Sequence, residues 1–261
     1  GELLEDPGPA FVSRRCSVGF DPEAKAPRWE KFVDEIMCGD PELVSYLRRC
    51  VGYWLTGSCR EQKFWLLHGA RGQNGKGTFL NTVQKLLGPA SGAFGPDLIC
   101  RRDGQPKWDL GRLEGLRLVY VNEAPPSGSL SVETVKNIVS EDKISGENKH
   151  QAPRDFSPSH KVIWALNDLP ELPPDPALFR RVRLIPFDFH ADQPDDKLGS
   201  TLEKELPGIL AWAARGCREW LDGGLRCPEK VMARVKALEE EADAVGEWIR
   251  ECCDLGPSFF A

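Results

Sequence analysis

One ten-residue stretch constrains this chain more than any other: Gly69-Ala70-Arg71-Gly72-Gln73-Asn74-Gly75-Lys76-Gly77-Thr78. It follows a short apolar run, Phe64-Trp65-Leu66-Leu67-His68. It precedes Phe79, Leu80, Val83, Leu86 and Leu87, which recur at helical spacing. The order is strand, glycine-rich turn, helix. Glycine tolerates the backbone angles and close approach of such a turn, whose N–H groups can point inward around phosphate oxygens. The helix N-terminus adds partial positive charge, and Lys76 extends toward the outer phosphates. Gly72, Gln73, Asn74, Gly75, Lys76, Gly77 and Thr78 are therefore the candidate phosphate-binding set. Two positions depart from the usual template. Ala70 stands where it has its first glycine. Gly77 stands where it has a hydroxyl for magnesium, and Thr78 comes one place late.

The rest of the chain surrounds this unit with more strands and with helices. Residues 1–26 contain several prolines and little periodicity, and read as an irregular lead-in. Trp29, Phe32, Val33 and Ile36 fall on one helical face. Asp40-Pro41 reads as a cap and first position of a second helix, continued by Leu43, Leu47, Val51 and Leu55. Residues 27–60 are thus expected to form an N-terminal helical segment. Buried strands are expected at 116–121, 161–166 and 182–187. Alternation of strands with helical segments over 61–190 predicts an α/β core with a mainly parallel sheet. Residues 191–261 turn helical again, with Leu202, Leu206, Ile209, Leu210, Ala213, Cys217, Trp220 and Leu221 on one face and a Glu-rich helix over 229–253.

Several polar residues sit where chemistry is expected. Glu123 follows the second strand, 47 residues after Lys76. A carboxylate there can orient an attacking water and help hold magnesium. Asn167 ends the third strand, where it reads equally as a turn residue or as a sensor of the outermost phosphate. Arg180 and Arg181 precede the fourth strand, and arginine suits stabilisation of phosphoryl charge. Lys143, Lys149, Arg154 and Lys161 face only Glu147 and Asp155 over residues 143–161. A hairpin tip bearing Lys149 and His150 could grip a nucleic-acid phosphate, and a solvated loop fits the same composition.

Composition limits the alternatives. With 261 residues, 41% hydrophobic and 28% charged, the chain reads as a globular protein with a sizeable core. No apolar run approaches membrane-spanning length, and no signal peptide opens the chain. It begins without Met and reads as a cut through a longer protein. The nine cysteines form no CxxC pair and do not cluster with the four histidines, so free thiols in a reducing cytoplasm are expected rather than a zinc site. The net charge of −6 argues against a surface that attracts nucleic acid everywhere, leaving only a local basic channel.

In order and spacing, these motifs resemble the helicase domain of phage and plasmid primase-helicases, related to the poxvirus primase-helicases, within superfamily 3. The resemblance runs from about Asp21 to Cys253. Gly52-Tyr53-Trp54-Leu55-Thr56-Gly57 is similar to the family's lead-in helix, and Asn74 to Phe79 to its phosphate loop, in which Gly77 recurs as a variant. Leu118 to Glu123 resembles the second acidic motif, with Asn122 where many relatives carry an acid. Lys136 to Gly146 and then Lys149-His150 resemble the family's extra motif and its DNA-gripping hairpin, Ala165-Leu166-Asn167 the sensor, and Phe179 to Phe187 the arginine-finger segment, without deciding between Arg180 and Arg181.

The resemblance implies an AAA+-like P-loop NTPase core and a ring, in all expectation hexameric, that hydrolyses ATP with Mg2+ and moves along single-stranded DNA. Lys76, Glu123, Asn167, Arg180 and Arg181 would be catalytic. Thr78 and Glu123 would hold the metal, and Lys143, Lys149 and His150 the DNA. A primase domain would precede residue 1. The alternative is an ATP-binding switch or assembly module that does not translocate.

Overall fold

The structure, a computed structural model, describes residues 14–100, 108–122, 130–146, 154–243 and 252. Helix α1 (Pro27–Ile36) buries Trp29, Phe32, Val33 and Ile36, the face that the spacing marks. Pro27 presets its first turn, but Ala26 has no side chain with which to cap it. The cap comes from far along the chain. The Glu205 carboxylate accepts hydrogen bonds from the N–H groups of Arg28 at 3.2 Å and Trp29 at 2.9 Å. Helix α2 (Pro41–Leu55) is capped as its sequence predicts, with Asp40 accepting from the N–H groups of Glu42 and Leu43.

The core of the molecule is a five-stranded sheet. Its strands are β1 (Phe64–His68), β2 (Ser91–Phe94), β3 (Leu118–Asn122), β6 (Lys161–Leu166) and β7 (Val182–Pro186), in the order β2-β3-β6-β1-β7 with every pairing parallel. Two short strands, β4 (Ile144–Gly146) and β5 (Arg154–Phe156), form a separate antiparallel pair between β3 and β6 in sequence. A parallel sheet must be covered on both faces, and alternation along β1 shows how. Trp65 and Leu67 enter a core shared with α1, α2, α3 (Lys76–Leu87), α6 (Leu198–Lys204) and α7 (Leu206–Gly223). Phe64 and Leu66 enter the opposite core, with α4 (Val132–Ile138), α5 (Pro176–Phe179) and part of α8 (Glu229–Ala242). The result is a mixed α/β fold with a parallel central sheet between helical layers.

The helices before and after the sheet form one layer. A Cβ on Gly52 of α2 would lie 2.6 Å from the Ala213 carbonyl oxygen of α7, and one on Gly216 would strike the backbone of Arg48. The two helices therefore meet backbone to backbone. Trp29 of α1 stacks on Phe79 of α3 at 5.6 Å and meets Trp212 of α7 edge-on at 5.5 Å, tying three helices into one aromatic core.

Three details differ from the sequence expectation. Strand β2 is absent from it, because Ser91-Gly92-Ala93-Phe94 has no β-branched residue; pairing with Leu118–Val121 alone makes it an edge strand. The apolar face at 198–221 belongs to two helices, broken at Glu205 where Pro207 begins a new first turn. Helix α8 ends at Ala242 within the stretch expected to be helical to 253, and most of the remainder lies outside the described residues.

Connectivity fixes where a ligand could enter. From β1 the chain crosses to the β2 edge, whereas from β6 it steps over β1 to β7. The connections beside β1 thus leave in opposite directions. In open α/β sheets such a switch opens a crevice at the carboxyl ends of the strands, and residues 69–75 lie there.

Candidate functional site

The glycine-rich loop joins β1 to α3 at this crevice. Gly75, which precedes α3, has φ +82°, and a Cβ there would lie 3.2 Å from Phe32 and closer still to Ile36 of α1. Glycine is required at that position by conformation and by space together. Gln73 also adopts a left-handed angle, φ +59°. A Cβ on Gly72 or Gly77, by contrast, would meet nothing within 4 Å. Both border open space, so the loop leaves room beside its backbone for a ligand.

Lys76 opens α3 and is buried. Its ammonium donates to the Gly69 carbonyl at 2.8 Å and to the Asn167 side-chain oxygen at 3.0 Å. Burial lowers its pKa from the ordinary lysine value. Asn167 directly follows β6, the neighbour of β1, so the parallel register brings together two residues 91 positions apart. Of the alternatives for Asn167, the structure places its side chain against the loop lysine. The Asn74 side chain turns inward, donating to the carbonyls of Gly69 and Arg71 and accepting from the Lys76 N–H at 3.4 Å.

The segment after β7 completes the surroundings. The Ala191 N–H donates to the Gln73 carbonyl at 3.0 Å, and His190 Nδ1 lies 3.0 Å from the Gly72 carbonyl. Between this segment, the loop and α1 is a cleft of about 420 Å³, bordered by Gln73, Gly75, Thr78, Arg28, Glu35 and Phe189. That volume is within the range of small-molecule sites. Nothing in the spacing of Arg28, Glu35 or Phe189 signals this role, which depends on tertiary packing. His68, at the end of β1, is half-buried, and burial lowers its pKa below the usual histidine value.

The other expected site residues are placed as follows. Glu123, Lys149 and His150 lie outside the described residues. Lys143 is exposed just before β4, and β4 and β5 pair as the base of a hairpin. Two basic residues of the same segment do not contribute free charge. Arg154 is ion-paired with Glu114, and Lys161 is buried at the start of β6, its amine bonded to the carbonyl and hydroxyl of Thr56. Arg180 and Arg181 stand at the start of β7, the end of the sheet opposite to the loop. Arg180 is exposed, whereas Arg181 is buried, with its guanidinium donating to the Ala177 carbonyl at 2.8 Å. Among the described residues no group of three or more His, Cys, Asp or Glu side chains is arranged to hold a metal, and no helix is long and apolar enough to cross a membrane.

A parallel α/β sheet with a strand–glycine loop–helix unit at its switch point, and a buried lysine in that loop, is consistent with a P-loop NTPase-like core. Comparisons with known proteins point the same way. Residues 67–181 match a family described as Family of unknown function (DUF5906). Over 152 residues the chain is 24% identical to a protein of Acanthamoeba polyphaga mimivirus named as a candidate helicase, covering 57% of this chain and 16% of that protein. Among solved structures, two of the apo C-terminal region of NrS-1 superpose with TM-scores of 0.65 and 0.64 at 13% identity, over 88% of this chain and 54% of theirs. The chain thus spans about half of those structures and a small part of the viral protein. At that identity the likeness to the solved structures establishes the fold.

Proposed function

We propose that this chain is the ATP-hydrolysing motor of a superfamily 3, AAA+-like helicase that works as a ring, expected to be a hexamer, on single-stranded DNA. One observation carries the reading: Lys76 of the loop and Asn167 of the neighbouring strand tip meet at 3.0 Å at the switch point of a parallel sheet. The likeness to a protein named as a helicase supports the same class.

In this reading the phosphates occupy the open space beside Gly72 and Gly77, and the nucleoside occupies the cleft beside Thr78. Lys76 leaves the Gly69 carbonyl to meet the outer phosphates, and Asn167 holds its ammonium on the strand side. The Thr78 hydroxyl and Glu123 would hold the Mg2+ that accompanies ATP, and the ion would supply charge neutralisation at the phosphate oxygens. Glu123 also orients the attacking water. Strand β7 separates Arg180 from the loop by roughly 15 Å, at ~3.3 Å per residue, so Arg180 serves the site of a neighbouring copy. Being exposed where Arg181 is tied down, it is the arginine free to do so. Lys143, just before β4, together with Lys149 and His150, contacts the DNA backbone. A primase domain precedes this region in the full-length protein, which acts in the cytoplasm.

The test is ATP turnover by protein sized by light scattering, with and without single-stranded DNA. Turnover stimulated several-fold by DNA, in a multimer, is expected, with Lys149→Ala reducing the stimulation. Turnover indifferent to DNA would remove the translocation part of the proposal and leave an ATP-driven switch.

A further inference from the structure

We infer that Asn74 is a positioning residue, an internal staple that holds the phosphate loop in its binding shape before any nucleotide arrives. This rests on the reading of the loop as a nucleotide site and specifies how the loop is kept ready.

The geometry is that of a closed polar network. Asn74 is 4% exposed although it belongs to a loop whose neighbours Gly72 and Gln73 are exposed. Its amide nitrogen donates to the Gly69 carbonyl at 3.1 Å and to the Arg71 carbonyl, and its oxygen accepts from the Lys76 N–H at 3.4 Å. One side chain therefore bridges the first residue of the loop, its middle and the start of α3. The bond to the Gly69 carbonyl is buried and that to the Arg71 carbonyl part-buried, where a lost hydrogen bond costs more than one lost in open solvent. Gly69 fits this arrangement. A Cβ there would collide with the Asn74 amide and also with the Phe187 carbonyl oxygen, 2.5 Å away. The missing side chain at 69 leaves the space that the amide and the backbone after β7 share.

The Gly69 carbonyl accepts from both Asn74 and Lys76, the latter at 2.8 Å. When Lys76 turns to phosphate, Asn74 remains as a donor to that oxygen. The loop can release its lysine without losing its shape. A side chain turned inward in this way is spent on the backbone and does not meet the nucleotide. Its effect on binding passes through the loop.

The experiment uses two variants, Asn74→Ala and the isosteric Asn74→Asp, which removes both donated hydrogen bonds. Hydrogen–deuterium exchange of the segment spanning residues 69–76 is measured without nucleotide. Affinities for ATP and ADP are measured by titration, and folding is followed by thermal melting. Both variants are expected to melt cooperatively and to exchange faster in the loop segment alone. ATP and ADP should both weaken, by about tenfold or more for the loss of two to three hydrogen bonds, and by the same factor. Weakening of ATP alone with unchanged loop exchange would overturn the staple and make Asn74 a direct contact of the outermost phosphate. Unchanged exchange and unchanged affinities would overturn it too. If one variant does not fold, the other carries the measurement; global loss of protection in both would mean that Asn74 supports the fold rather than the loop. The exchange measurement needs no nucleotide. Failure of wild-type protein to bind ATP would therefore sink the proposed function while leaving the staple to be judged on exchange alone.

Discussion

Lys76 and Lys161 are both buried amines, yet they answer to different neighbours. Lys76 lies at a loop bordered by open space and is bonded to Gly69 and Asn167. Removing it by Lys76→Ala should lower ATP turnover by about a hundredfold or more, as expected for the loss of a charge that stabilises the transferring phosphoryl group. Steady-state hydrolysis reads this directly. Gly75→Ala should cost about 1–2 kcal/mol for the left-handed angle, with more added by the collision with Ile36; urea unfolding would measure it. Lys161 is 2% exposed at the start of β6, near the Tyr53 ring, Arg117, Cys59 and Cys217, and burial pushes its pKa down to about 7. An unfolded lysine titrates near ~10.4. Between those values the unfolded chain holds the proton and the folded chain does not, so Lys161 makes stability rise with pH from about 7 to about 10. In Lys161→Met that rise should flatten, and a stability–pH series that kept wild-type slope would show that the amine stays charged when folded.

At the scale of elements, the chain's own code was clear where interactions are local. The Asp40-Pro41 start of α2, the apolar face of α1 and the runs at β1, β6 and β7 follow from residue spacing, because cap, helix face and buried strand are each set within a few positions. Loop and strand tip were legible as separate motifs. Their meeting at 3.0 Å was not, since it depends on β1 and β6 pairing in parallel register across 91 residues. The partners of two basic residues in 143–161 were not legible for the same reason: that Arg154 pairs with Glu114 and that Lys161 is buried depends on contacts far along the chain. The cap of α1 was invisible too, because Glu205 lies 176 residues from Trp29. That carboxylate joins the layer behind the loop to the C-terminal helices. Glu205→Ala should therefore destabilise the protein by about 1 kcal/mol, the usual worth of a helix cap, read as a lower melting temperature. Gly52→Ala should cost about 3 kcal/mol or more, because the added Cβ would drive into the backbone of α7.

For the whole molecule, the distance between Arg180 and the loop is the most consequential dimension. β1 and β7 are in register from Phe64 with Val182 to His68 with Pro186. The loop continues from one end of that pair, and Arg180 precedes the other. A residue so placed cannot act on its own loop, which makes the proposed ring testable without imaging it. Lys76→Ala and Arg180→Ala should each abolish most ATP turnover alone, the first by damaging a subunit's own loop and the second by depriving its neighbour. Mixed in equal amounts and allowed to exchange subunits, the two inactive variants should regain activity. In a head-to-tail assembly, about a quarter of the interfaces would pair an intact loop with an intact arginine. Recovery toward that fraction is expected, and Arg181→Ala, whose side chain is tied to Ala177, should not substitute for Arg180→Ala in the mixture. No recovery from subunits shown to exchange would place the phosphoryl-stabilising charge elsewhere in the same chain and remove the shared-site geometry from the proposal.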